Sequence, residues 1–278
     1  MSLPAIAAEP LLTWNGSPEI FSLGPLTIRW YGVLFATGFA IGFLLVRRAF
    51  LRENKPIEDL DRLLVVLIVS TIVGARLGHC FFYHPEYYLS NPLRIFEVWK
   101  GGLASHGGGI GVLTGMWLYS RRRPDQPFLW ILDRIAPPVA LTGALIRLGN
   151  FFNSEIIGVP TDVPWGIVFA RIDDVARHPA MLYESLSYFT IFVLLITLDR
   201  RKWNTWPSGR LVGLFFMLVF SARFLIEFVK IRQADFSESL PLRMGQLLSI
   251  APVLLGLALF LLAKGRPGGT ETPKEKAA

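Results

Sequence analysis

Four sets of polar side chains in this sequence have the types and spacing to do chemistry, and all lie in or beside apolar runs. The first is "IRLGNFFNSEIIGVP", 146–160, which places Arg147, Asn150, Asn153, Glu155 and Gly158 within twelve positions. Arginine offers a planar fork of donors that suits phosphate and stays charged at any relevant pH. Asn150 and Asn153 fall one turn apart if a helix continues through them, and could orient the arginine, close a turn or bind a ligand. The alternative is an arginine that snorkels from a helix end into an ordinary loop.

The second set is Arg223 with Glu227 in "FSARFLIEFVK", at i and i+4 and hence on one helical face. An internal ion pair would explain them. So would a phosphate shared with an arginine from another helix, since two guanidiniums make an anion clamp. The third is His106 in "GGLASHGGGIG". Histidine can take a proton near neutral pH, and the flanking glycines admit a close neighbour. A purely structural histidine is the competing reading. The fourth is Arg76 in "GARLGHCFFY", which needs an acceptor: Glu155, Glu184 or a lipid headgroup. "RHPAMLYES" reads as a helix start with Pro179 leading and Glu184 in the first turns, and His178 as a loop residue. There is no HExxH, no Asp-rich pair, no Gly-x-Ser-x-Gly elbow and no P-loop, so neither a metal nor a soluble cofactor is expected.

The elements that must position these groups are membrane helices. Of 278 residues, 52% are hydrophobic and 18% charged, and the mean hydropathy is +0.45. The apolar residues gather in blocks near the ~20 that a bilayer requires. About seven spans are predicted, at 27–46, 62–83, 104–120, 128–148, 179–198, 210–229 and 244–263. The expected fold class is an all-α integral membrane protein. It would form one polytopic domain over 1–263, with 264–278 as a disordered basic cytoplasmic tail. The N-terminus lacks the basic and apolar regions of a cleaved signal. Basic residues fill alternate loops: "RRAFLRENK", "RRRPDQ", "DRRKWNTWPSGR", and Lys264 with Arg266. The positive-inside rule puts these in the cytoplasm, the N-terminus outside, and the loops 83–102, 150–177 and 230–243 outside as well. The net charge of +7 then belongs to cytoplasmic loops and anionic lipid, with no nucleic-acid partner. Glycines at four-residue spacing (Gly38 and Gly42, Gly74 and Gly78, Gly107, Gly111 and Gly115) predict close helix packing. Cys80 is the sole cysteine, so no intrachain disulfide can form, and it reads as a packing residue.

Taken together, "IRWYG", "GARLGHCFFY", "SHGGGIG", "RLGNFFNSEIIG", "RHPAMLYES", "RFLIEF" and "MGQLLSI" resemble, in order from about Phe21 to Pro252, the bacterial phosphatidylglycerol–prolipoprotein diacylglyceryl transferase family. The resemblance implies transfer of the diacylglyceryl group of phosphatidylglycerol to the lipobox cysteine of a prolipoprotein, with release of glycerol phosphate. It implies this at the outer side of the inner membrane. By position, Arg147 matches the signature arginine that binds the headgroup, and Asn150, Asn153, Glu155 and Gly158 fill its companion positions. Arg223 matches the second essential arginine, Glu227 its helix neighbour, His106 the proposed base and Tyr31 a tyrosine of the first span. Val219 stands where some members carry tyrosine. On physics alone, a carrier of an anionic solute or a non-catalytic membrane scaffold are the rival readings.

Overall fold

The computed structural model describes residues 12–24, 26–231 and 242–264. The expectations for the first eleven residues and for the tail at 265–278 lie outside the described residues. In chain order the elements begin with strands β1 (Leu12–Trp14), β2 (Glu19–Leu23) and β3 (Leu26–Arg29) and helices α1 (Trp30–Arg52), α2 (Ile57–Tyr83) and α3 (Pro85–Ser90). After two 3-10 turns, Pro92–Phe96 and Val98–Lys100, come α4 (Ser105–Arg121) and α5 (Phe128–Asn153). Then follow β4 (Ile167–Phe169), β5 (Ala176–Arg177), α6 (Ala180–Lys202), α7 (Arg210–Ile226), a 3-10 turn at Glu227–Val229, and α8 (Met244–Leu262).

Six helices are long and apolar enough to cross a membrane: α1, α2, α5, α6, α7 with its 3-10 extension, and α8. The span expected at 104–120 falls outside this group. It is α4, 17 residues long and rich in glycine. Several helices also outrun their apolar blocks, among them α1, α2, α5 and α6. α5 in particular continues to Asn153, so Asn150 and Asn153 occupy its final turn.

The chain divides into two compact units, 46–132 and the remainder. In the 46–132 unit α4 lies antiparallel along α2. At one end the Tyr119 hydroxyl donates to the Asp59 carbonyl (2.9 Å) and to Gln126 Oε1 (2.8 Å), and Gln126 Nε2 donates to Asp59 Oδ2 (2.9 Å). Arg123 pairs with Asp59 at 2.8 Å, and its guanidinium is held above its ordinary pKa by Tyr119 and Asp59 against the opposing effect of desolvation. At the other end the glycines meet. A Cβ on Gly78 would lie 2.7 Å from the Cα of Gly107, and one on Gly74 would lie 2.7 Å from that of Gly111. Side chains there would force the helices apart, at about 1–3 kcal/mol for a single added group. Cys80 is fully buried in the same unit and reports on that packing. Gly107→Val is expected to raise the maleimide labelling rate of Cys80 about tenfold or more, through easier local opening. An unchanged rate would contradict this account of the α2–α4 contact.

The second unit is built on α5, α6, α7 and α8. Ala140 and Ala144 of α5 meet Tyr188, Ile191 and Leu195 of α6 and Leu211 of α7, with Val219 packed against them. At the α5 start, Asp133 accepts the backbone N–H groups of Gly209 and Val212, both at 2.8 Å. It thereby satisfies orphan donors at the α7 N-terminus. Arg134 pairs with Asp199 of α6 at 2.9 Å. At the opposite end of α5, β1 pairs parallel with β4 and β4 pairs antiparallel with β5. Under that sheet Ile167, Phe169 and Met181 form a small core with Trp14 and Phe151. β2 and β3 form a separate antiparallel hairpin leading into α1.

Candidate functional site

The last two turns of α5 present Arg147 and Asn150 on one face, as i, i+3 spacing requires. Arg147 Nη1 donates to Asn150 Oδ1 at 3.2 Å. Asn150 Nδ2 donates to Glu155 Oε2 at 2.8 Å, and Asn153 Nδ2 to Glu155 Oε1 at 3.2 Å. One carboxylate thus orients both amides. To return Glu155 to the helix end, the chain takes left-handed backbone at Ser154 and Ile156, both at φ 57°. For a β-branched residue such as Ile156 this is a strained conformation, of order 1–3 kcal/mol. The surroundings hold it. Glu155 N–H donates to the Asn150 carbonyl (2.9 Å), and Arg171 Nη2 donates to the Phe152 carbonyl (2.6 Å) and Ser154 Oγ (2.9 Å). Trp30 stacks on Phe152, ring centroids 4.8 Å apart, and Trp14 on Phe151 at 4.3 Å.

Gly158 is fixed by space. A Cβ there would lie 2.5 Å from the His178 carbonyl oxygen and 2.6 Å from that of Val229. Only glycine lets three chain segments meet, with Gly158 N–H donating to the His178 carbonyl (2.8 Å) and Val159 N–H to that of Val229 (2.9 Å). This ties the α5 exit to the segment after α7. Tyr31, in the first turn of α1, packs on Gly149, where a Cβ would lie 3.1 Å from the tyrosine Cα.

The centre of the cluster is Glu184, with no exposed surface. Its Oε2 lies 2.9 Å from Arg147 Nε and its Oε1 2.7 Å from Lys230 Nζ, and Lys230 is itself 4% exposed. The Tyr188 hydroxyl donates to the same Oε1 at 3.4 Å and also stands beside the Arg223 guanidinium. Tyr188 therefore brings the two arginines, from α5 and α7, into one neighbourhood. Among the described residues no carboxylate pairs with Arg223, and Nη2 of Arg147 has no hydrogen-bond partner. The arrangement offers guanidinium donors held by a buried carboxylate, next to a second guanidinium that meets the Tyr188 hydroxyl and no carboxylate among the described residues. That suits a phosphate or another oxyanion.

Three sequence expectations change. Arg223 and Glu227 do not form an ion pair. The turn between them is α-helical, with the Glu227 N–H on the Arg223 carbonyl, but the 3-10 turn that follows, in which residues three apart eclipse, brings Lys230 beside Glu227, whose Oε2 lies 3.6 Å from Lys230 Nζ. Arg243 Nη1 donates to the Glu227 and Lys230 carbonyls, closing that turn. Arg76 does not take Glu155 or Glu184 as its acceptor. Buried at 4% exposure, it donates to the carbonyls of Arg94, Ile95, Gly101 and Gly102. The guanidinium thus gathers carbonyls in and just after the two 3-10 turns. Glu184 is more than a helix-start residue, for it is the hub of the cation cluster. The signal was present: α6 has no Lys or Arg between Glu184 and Arg200, so a carboxylate in so apolar a helix needs a cation from elsewhere. Lys230 and Tyr188 carried no comparable signal.

His106 sits in the first turn of α4, exposed, with no hydrogen-bond partner among the described residues. His178 takes a structural place, its Nδ1 3.1 Å from the Tyr183 hydroxyl, which also accepts from Trp165 Nε1 at 2.8 Å. Nearby, hydrogen bonds from Arg177 hold the half-buried Asp173 carboxyl below the usual carboxylate range.

These features define a mostly helical, multi-pass membrane protein whose helix ends gather cations around a buried carboxylate. The family can be stated as well. A family model described as prolipoprotein diacylglyceryl transferase matches residues 18–262. The chain is 55% identical over 249 residues to the phosphatidylglycerol–prolipoprotein diacylglyceryl transferase of Chloroherpeton thalassium, covering 89% of this chain and 92% of that one. To the enzyme of the same name from Tolumonas auensis it is 53% identical over 253 residues, covering 91% and 98%. To that from Porphyromonas gingivalis it is 44% identical over 282 residues, covering 96% and 98%. The chain belongs to the prolipoprotein diacylglyceryl transferase family and is a transferase.

Proposed function

We propose that this chain moves the diacylglyceryl group of phosphatidylglycerol to the lipobox cysteine of a prolipoprotein, using Arg147 and Arg223 to hold the phosphate. The cysteine sulfur attacks the glycerol carbon that bears the phosphate ester. A C–S bond forms, the C–O bond breaks, and glycerol phosphate leaves. The phosphate gains negative charge as the bond breaks, and preorganised guanidiniums lower that barrier more than they stabilise the bound lipid. The observation that carries the reading is Arg147 anchored through Nε to the fully buried Glu184 and through Nη1 to Asn150, with no hydrogen bond from Nη2 among the described residues. Asn150, Asn153, Glu155 and Gly158 shape the turn on the headgroup side, Tyr31 packs on Gly149 near the α5 end, and Glu227 tunes Lys230. Arg76 serves by shaping the segment 94–102.

His106 is the proposed acceptor of the thiol proton, being exposed and uncommitted. The test uses detergent-purified protein, phosphatidylglycerol and a lipobox peptide, with the peptide mass as readout. His106→Gln is expected to lower kcat by about 10²–10⁴-fold, the usual worth of a general base. Near-normal turnover would remove His106 from that role.

The proposed setting is the bacterial inner membrane, with one polytopic domain over 1–263, the N-terminus outside and the C-terminus cytoplasmic. This orientation follows from the basic alternate loops, and needs α4 as a seventh, short crossing. Its antiparallel course along α2, from Gly107 to Tyr119, supports that. The 85–103 segment, with Leu93 and Trp99 more than 70% exposed, suits the outer lipid interface.

A further inference from the structure

Glu155 accepts amide hydrogens from both Asn150 and Asn153. A carboxylate can face only the N–H side of an amide, so the oxygen orientation of both asparagines is set. The two oxygens have different fates. Asn150 Oδ1 receives Arg147 Nη1 at 3.2 Å. Asn153 Oδ1 is buried and has no hydrogen-bond partner. A buried acceptor left unpaired costs on the order of 1–3 kcal/mol, and such a group calls for a partner that arrives from outside. The indole Nε1–H of Trp14 is also buried without a partner, in a ring that packs on Phe151 and Phe152, the two residues before Asn153 in the chain. The spare acceptor at Asn153 is the complement of a hydroxyl hydrogen.

The stretch 147–155 is therefore chemically two-ended. Its Arg147 end is all donor and suits phosphate, which at neutral pH has little to donate. Its Asn153–Glu155 end is acceptor-rich and has nothing to offer a phosphate. We infer that Asn153 is a specificity-determining residue that reads the hydroxyl groups of the lipid headgroup, its amide oxygen accepting from the glycerol while Arg147 holds the phosphate. This rests on the transfer reading above and adds to it which part of the headgroup is recognised, and by which atom.

The test compares phosphatidylglycerol with phosphatidyl-n-propanol, which has the same length and phosphate but no headgroup hydroxyl. Peptide mass gain is the readout for both. Wild type is expected to prefer phosphatidylglycerol by about 10–100-fold in kcat/KM, because a site built to hydrogen-bond a hydroxyl rejects the analogue that lacks it. In Asn153→Ala the preference collapses to within about threefold, the loss falling on phosphatidylglycerol. An equal fractional loss on both lipids would overturn the inference and make Asn153 a holder of the turn. If the variant fails to fold, wild type alone decides. Restoring one hydroxyl, as phosphatidyl-1,2-propanediol or phosphatidyl-1,3-propanediol, must recover rate over the propanol lipid with at least one of the two. Wild type that uses all these lipids equally overturns this inference alone. Wild type that consumes none of them overturns the transfer reading, and this inference with it.

Discussion

Arg147→Ala lowers diacylglyceryl transfer by about 10³-fold, close to 4 kcal/mol of transition-state stabilisation. The size follows from what the side chain does. It is one of two guanidiniums facing the proposed leaving phosphate, and Glu184 and Asn150 hold it in place before substrate arrives. A preorganised donor is worth more than a free one because no reorientation is needed as charge develops. Arg147→Lys separates charge from geometry. It keeps the positive charge but loses the Nε arm toward Glu184 and the planar fork, and is expected to lose about 10²-fold. The check is kcat against KM for both variants with the lipobox peptide. A fall confined to KM would mean that Arg147 binds the lipid without favouring the transition state. An unaffected rate would remove it from the mechanism.

The second large effect is on stability. Glu184 has no exposed surface, and it neutralises both Arg147 and the buried Lys230. Glu184→Leu leaves Arg147 without its carboxylate and Lys230 with only the longer contact to Glu227 at 3.6 Å. Breaking such a buried pair from one side costs about 3–5 kcal/mol, expected as a marked fall in the thermal midpoint followed by circular dichroism in detergent. The double variant Glu184→Leu, Lys230→Met is expected to be more stable than Glu184→Leu alone, because the weakly paired ammonium is gone. That non-additivity is the signature of a direct pair. Additive losses would show that Glu227 or solvent carries the Lys230 charge unaided.

The part of this site legible in the sequence is the part that is local. Arg147, Asn150, Asn153 and Glu155 lie within one helix end and its exit, so offsets of three, six and eight residues already place them together. Gly158 was marked by its position, and its reason, three backbones in contact, needed the fold. Glu184 and Lys230 were not legible as a pair because 46 residues separate them and apolar periodicity says nothing about which helix supplies a cation. The Arg223–Glu227 pair was misjudged because i, i+4 spacing sees only the helix itself, whereas the 3-10 turn that follows supplies Glu227 with Lys230. Arg76 was given distant carboxylates to choose from when carbonyls of the 94–102 segment were the nearer acceptors. The helices themselves were read well from hydropathy, apart from α4. That helix, at 17 residues, falls short of those of spanning length, and its glycines are what let it lie against α2.

A carrier of anionic solutes would share the intramembrane arginines but would leave its lipid and peptide unchanged. The most direct measurement is therefore the stoichiometry of the reaction: purified protein with phosphatidylglycerol and a lipobox peptide, following released glycerol phosphate and the intact peptide mass together. One glycerol phosphate is expected per peptide that gains a diacylglyceryl mass, and neither when the peptide cysteine is replaced by serine. Folded protein that binds phosphatidylglycerol yet releases no glycerol phosphate and leaves the cysteine peptide unmodified would contradict it.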